Sequence, residues 1–237
     1  MGGADLRMTT RMTMALVILT AVSVYPLACS AGAYEDLDQR IGTCNLVLKN
    51  ILDMPDRGIP KDLLRRCRGL AIFPGVIKVG AVLGVSYGNG VVVHRDEKTG
   101  MWSKPAFFRI RGGSVGAQVG AQSVDLILLV MSEEGVQGLL EDQFTLGADI
   151  AVAAGPVGRE ASAETDLGFR TGILSYSRAK GLFAGISISG AVLRPDNQAN
   201  NAYHGKGITV QDVFYEDKGS LSDNGRILLK TLEEATP

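Results

Sequence analysis

Between residues 35 and 52 the apolar positions are Leu37, Ile41, Cys44, Leu48 and Ile51, in steps of four, three, four and three. That spacing sets them along one stripe of an α-helix. Glu35 and Asp36 in the first turn and Lys49 near the end suit the helix dipole. Asp53-Met54-Pro55 is a stop signal. A second, short helix is expected from Ile59-Pro60 through Cys67, because proline is tolerated at the first helical position. From residue 69 the character changes to strand. GLAIFPGVIKVGAVLGVSYGNGVVVHRD reads as two or three strands with turns at Pro74-Gly75 and Tyr87-Gly88-Asn89-Gly90. Asp96 to Gly100 is a polar turn, and Met101-Trp102-Ser103 an edge-like strand. Further on, Val115, Ala117, Val119 and Ala121 alternate with Gly116, Gln118, Gly120 and Gln122, the mark of a strand with two different faces. Residues 126–130 then form an unbroken apolar run, fit for a strand buried on both faces.

Ser132, followed by Glu133 and Glu134, caps a helix that carries Val136, Leu139, Leu140 and Phe144 on one face. Another β region follows from Leu146, and residues 172–193 hold a hairpin around Ala179-Lys180-Gly181. The polar residues 195–206 read as a loop, residues 208–215 as a short element, and Ser222 caps a last helix with Ile227, Leu228 and Leu232. These elements predict an α+β protein. Its sheet is curved, glycine-rich and largely antiparallel, could close towards a barrel, and has N-terminal, central and C-terminal helices. Thirty glycines in 237 residues, against a usual share of about 7%, ask for strand curvature or for a ligand or backbone lying close.

Charge is balanced at 24 basic and 25 acidic residues, so bulk attraction to nucleic acid is not expected and any anion site must be a local cluster. Arg7 and Arg11 precede an apolar run over residues 14–24, and Ala31-Gly32-Ala33 supplies a small-x-small pattern before Tyr34. Residues 1–33 therefore read as an export signal, its apolar run too short to span a bilayer. Residues 34–237 read as a single domain placed in the periplasm or cell envelope. Leu27-Ala28-Cys29-Ser30 resembles a bacterial lipoprotein site, which makes lipid anchoring through Cys29 a second route beside plain cleavage near Ala33. Export would put Cys44 and Cys67 in an oxidising compartment, where thiols tend to pair. A Cys44–Cys67 disulfide, closing a loop of about 24 residues, would stabilise the fold by roughly 3 kcal/mol. Two separate buried thiols are the other reading.

No enzyme signature emerges. His94 and His204 lie in polar turn contexts, read as solvated, and neither sits in a Gly-x-Ser-x-Gly setting. Glu133-Glu134 and Glu141-Asp142 read as a solvated helix face. Gly112-Gly113-Ser114-Val115-Gly116 leads into a strand and lacks a Gly-Lys-Ser/Thr ending, so it fails as a phosphate loop. No metal is expected, because two cysteines and two distant histidines make no ligand spacing, and no cofactor is expected. Local basic clusters beside glycine turns remain. Lys61, Arg65, Arg66 and Arg68 follow the first helix. Arg109 and Arg111 alternate on one strand face. Arg159 follows Gly155-Pro156-Val157-Gly158, and Arg178 and Lys180 flank the hairpin turn. Guanidinium groups near exposed backbone N–H groups suit an anionic lipid headgroup.

CRGLAIFPGVIKVG, WSKPAFFRIRGGSVGAQVGAQSVDLILLVM, LGADIAVAAGPVGR and ILSYSRAKGLFAGISISGAVLRPDN, in that order, resemble successive motifs of the SYLF-domain family of lipid-binding proteins. The resemblance covers roughly residues 35–215. It implies non-enzymatic binding of phospholipid or a membrane surface, with phosphoinositides as ligands of eukaryotic members, some of which also bind actin. It also implies membrane contact by an amphipathic N-terminal segment, here residues 35–52. With an export signal and no SH3 or FYVE module, the chain resembles the stand-alone bacterial branch. The other function weighed is a structural or protein-interaction domain that pairs with an envelope partner through its sheet edge.

Overall fold

A computed structural model describes residues 25–54, 58–80, 83–115, 120–158, 172–179, 182–186 and 188–237. Helix α1 (Tyr25–Leu52) lays Leu37, Ile41, Cys44, Leu48 and Ile51 into the core, the stripe that the apolar spacing predicts. Helix α2 (Lys61–Arg66) follows. Four long strands come next: β1 (Gly69–Gly80), β2 (Leu83–His94), β3 (Ala106–Val115) and β4 (Gly120–Val130). Helix α3 (Glu133–Leu139) is capped by Ser132, whose hydroxyl accepts from the Gly135 N–H. Strands β5 (Phe144–Thr145), β6 (Val152–Ala154), β7 (Ile173–Ala179), β8 (Leu182–Gly185) and β9 (Ala191–Pro195) then lead to helices α4 (Asn197–His204), α5 (Val210–Tyr215) and α6 (Asp223–Ala235).

The strands form one strongly curled, half-barrel sheet in the order β5-β9-β3-β2-β1-β4-β7-β6, with β8 added to β7. Every pairing is antiparallel except β6 with β7. Both faces are covered. On one, Ile72, Val91, Phe107, Ile127 and Tyr176 pack beneath α1, α2, α4 and α6. On the other, Phe73, Val92, Phe108 and Leu128 meet Val136 of α3 and Phe214 of α5. Burial on both sides explains why these strands read as nearly continuous apolar runs.

Several sequence expectations change. Pro74-Gly75 is not a turn but a bulge within β1, where the register against both neighbours shifts by one residue. Gly75 has φ +58° there, a conformation that costs glycine little. Residues 87–90 continue β2. Their glycines permit close packing: a Cβ on Gly88 would lie 2.7 Å from Val76 Cγ2, and one on Gly90 2.6 Å from Phe73 Cδ1. Val115 and Ala121 belong to different strands with β2 and β1 between them, and Gly116, Ala117, Gln118 and Val119 lie outside the described residues. Trp102 makes only an isolated bridge to Arg95. The polar stretch read as a loop contains α4. Asp196 caps it, and Asn200 pairs with the Phe107 backbone, accepting from N–H at 2.8 Å and donating to C=O at 3.0 Å.

Candidate functional site

Strand register assembles the site. Arg109 and Arg111 sit two residues apart on β3, so their side chains leave the same face. Across the β3–β9 ladder Arg194 stands directly opposite Arg109. Like charges directly opposite on a sheet are destabilising unless compensated. Arg109 is compensated: its Nε and Nη2 donate to the Asp196 carboxylate at 2.8 and 2.6 Å, and Asp196 is only 4% exposed. The same carboxylate caps α4 through the Ala199 N–H at 3.1 Å and lies 3.9 Å from Arg40. Arg194 instead donates to Gln143 Oε1, and the Arg111 guanidinium lies 5.5 Å from the centre of the Tyr87 ring.

These three arginines line one cavity of about 530 Å³, with Asp142, Asp196 and the first residues of α4 among its walls. Arg111 and Arg194 have no carboxylate partner among the described residues. The N-terminus of α4 already holds the Asp196 carboxylate, which accepts the Ala199 N–H. The arrangement is thus one internally compensated pair, Arg109–Asp196, beside two guanidinium groups able to grip an anion bidentately. The cross-strand row Ile77–Tyr87–Arg111 leads away from the cavity. Ile77 is 50% and Tyr87 38% exposed, so an apolar strip borders the basic pocket.

The remaining candidates lie elsewhere. Arg65 pairs with Asp62 at 3.4 Å and Arg68 pairs with Glu97. Arg66 is likewise engaged within the protein, and Lys61 is an exposed residue that opens α2. That cluster adjoins Gly69, whose β2 partner is His94. Arg111 lies opposite Tyr87, about 23 Å further along β2 at roughly 3.3 Å per residue. Arg178 holds Asp125 Oδ2 at 2.7 and 3.0 Å, while Asp125 Oδ1 accepts the Gly75 N–H at 3.0 Å, so this pair clips the β1 bulge. Arg159 and Lys180 lie outside the described residues. Cys29 lies on α1, its side chain outside them too.

Cys44 and Cys67 are separate buried thiols, so the expected disulfide is absent. Their Sγ atoms donate to the Ile72 and Leu64 carbonyls, and burial pushes both pKa values up to about 12. The histidines are not solvated. His204 is buried with Nε2 3.0 Å from the Pro105 carbonyl, and burial lowers its pKa to about 4. His94 is also buried and shifted down by desolvation. Because its apolar stripe is occupied by the core, α1 could meet a membrane through that stripe only by leaving the sheet. No described helix is long and apolar enough to cross a membrane.

Arg109 and Arg111 are legible in the sequence, Arg194 is not, and Asp142 reads there only as part of a solvated face. Arg194 follows the strand run GLFAGISISGAVL, and its alternation with Val192 would have placed it with Arg111 had the β3–β9 pairing been known.

Comparison with known proteins places this geometry in a family. The chain is 38% identical over 162 residues to Protein YSC84 of Saccharomyces cerevisiae, covering 67% of this chain and 34% of that one. It is 35% identical over 162 residues to LAS seventeen-binding protein 3 of the same yeast, covering 67% and 35%. It is 31% identical over 164 residues to the human SH3 domain-containing YSC84-like protein 1, covering 69% and 47%. The chain thus spans about a third to a half of the length of these curated relatives. The family model described as "Ysc84: Las17-binding protein actin regulator" matches residues 111–235, more than half of the chain, and the chain belongs to this Ysc84, or SYLF, family.

Proposed function

We propose that the protein binds phospholipid at a membrane surface without catalysing a reaction, taking an anionic headgroup into the cavity between β3, β9 and α4. The observation that carries this reading is the convergence of Arg109, Arg111 and Arg194 on one cavity bordered by the exposed Ile77–Tyr87 strip. Cation and apolar surface side by side match the layering of headgroup over acyl chain. The export-like residues 1–33 suggest the cell envelope as the place. Its family is described by protein interaction and actin regulation, not by a reaction.

Each arginine near an anionic surface contributes about 1 kcal/mol, so losing Arg111 and Arg194 weakens binding about thirty-fold. Charge reversal of both, read by co-sedimentation with phosphoinositide-containing vesicles over a salt series, should exceed that and flatten the salt dependence. Reversing Arg65 and Arg68 should change binding little. Unchanged affinity in the Arg111/Arg194 variant would remove the cavity from consideration, and loss in the Arg65/Arg68 variant would move the site to α2.

A second reading is favoured by the names of the relatives, which record binding to Las17. On it the domain engages a protein partner through its sheet edge. Capture of a partner by the full chain, with no affinity for any vesicle, would select it.

A further inference from the structure

Asp142 is an odd wall for a site that binds only an anion. It is exposed, it lines the same cavity as Arg111 and Arg194, and its side chain makes no hydrogen bond or ion pair among the described residues. It also lines an adjoining cavity of about 530 Å³ with Glu134, Glu141 and Asp149. The Asp149 carboxylate already accepts the Thr145 N–H at 2.6 Å. Glu134 and Glu141, like Asp142, have no side-chain partner among the described residues. Since Asp196 is held by Arg109, the charges of the basic cavity left without an ionic partner among the described residues are two guanidinium groups and one carboxylate. Beyond that carboxylate the surface turns acidic. A phosphate with no other charge would sit on the arginines and be repelled by Asp142. A phosphate carrying an amine a few bonds away would satisfy both.

We propose that the ligand is a phosphoamine headgroup of the phosphoserine or phosphoethanolamine type, its phosphate on Arg111 and Arg194 and its ammonium on Asp142 at the junction of the two cavities. The inference rests on the lipid-binding reading above and narrows its ligand class. Discrimination against an amine-free headgroup is worth about fivefold, the size of one exposed ion pair.

The test uses the full chain and vesicles of phosphatidylcholine doped at equal mole fraction with phosphatidylserine or phosphatidylglycerol. The two carry the same net charge, phosphatidylserine adding an ammonium and a carboxylate where phosphatidylglycerol has hydroxyls, so the Asp142 variant isolates the ammonium. Wild type should prefer phosphatidylserine about fivefold. Asp142→Asn, at an exposed position with no bonds to lose, should fold normally and erase the preference by gaining affinity for phosphatidylglycerol. Equal binding of both vesicles by wild type, or a preference that survives in Asp142→Asn, overturns the proposal while leaving lipid binding intact. Reversal of Arg111 and Arg194 with no loss on either vesicle instead overturns the underlying reading. Soluble O-phosphoserine and O-phosphoethanolamine added as competitors separate the sources: displacement at concentrations near that of the lipid headgroup assigns the site to a free phosphoamine, and displacement only in large excess assigns it to the lipid.

Discussion

Asp196 is where the fold and the candidate site meet, and its replacement by alanine separates their contributions. Its carboxylate accepts two hydrogen bonds from Arg109, caps α4 through Ala199 and lies 3.9 Å from Arg40 of α1. Loss of an N-cap side chain costs about 1 kcal/mol. Breaking a fully buried pair costs about 3–5 kcal/mol. Here the arginine side chains are 26% and 34% exposed and can be partly rehydrated, which brings that contribution to about 2 kcal/mol. Asp196→Ala should therefore destabilise the protein by about 3 kcal/mol, lowering Tm by about 6–12 °C for a domain of this size. Asp196→Asn keeps a good cap and should lose only the pair, about 2 kcal/mol. Arg111→Ala and Arg194→Ala lack a buried partner and should stay within about 0.5 kcal/mol of the parent. Urea unfolding followed by circular dichroism reads all four. An Asp196→Ala protein within about 1 kcal/mol of the parent would refute the view that Arg109 is a structural residue of the site, and with it the assignment of ligand contact to Arg111 and Arg194.

Three other outcomes follow from the packing. Cys44 and Cys67, with pKa values held near 12 by burial, should resist iodoacetamide in the native protein and alkylate fully in denaturant without reductant; peptides that stay unlabelled there would mean a disulfide. His204, lowered to about 4 by burial, binds a proton more readily when unfolded. Stability should be full above about pH 6.5 and fall as pH drops towards 4, by up to about 3 kcal/mol, with His94 adding in the same direction. A flat urea midpoint between pH 7 and 4.5, on this logic, would contradict the burial of both imidazoles. Gly90→Ala would press a methyl group into Phe73 and the Ile72 carbonyl, so it should cost more than about 2 kcal/mol or prevent folding, seen as loss of the cooperative thermal transition.

Helices with a clear stripe and a side-chain cap were legible in the sequence: Leu37 to Ile51 on α1, Ser132 before α3, Ser222 before α6. The sheet was legible too, since β-branched and apolar runs separated by short polar turns mark strands in any register. What failed was decided by contacts distant in sequence. Residues 195–206 look like a loop because asparagine and aspartate favour turns. In the fold, Asn200 stands in for a strand neighbour of Phe107, 93 positions away. His94 and His204 looked solvated because their flanks are polar, yet α5 and the Pro105 carbonyl close over them. The candidate site was half legible for the same reason. Arg109 and Arg111 are neighbours on one strand, whereas Arg194 joins them only through the β3–β9 register.

The β1 bulge links Arg178 to the site without any ligand contact. From Ile72 to Ile77 is five steps on β1, against four steps on β2 from Val91 to Tyr87. The extra residue puts Ile77 opposite Tyr87 and turns Val76 into the other core, where it packs with Val124 and Ile110. Without it Val76 would face Tyr87, and every later side chain of β1 would change faces. The bulge is held at Gly75, whose left-handed backbone is fixed by its N–H bond to Asp125 Oδ1 while Arg178 anchors Oδ2. Arg178 thus acts on the apolar row beside the cavity by keeping β1 in register. Of the basic residues singled out in the sequence, Arg109 and Arg178 are held by carboxylates that shape the surface, and Arg111 has no carboxylate partner among the described residues.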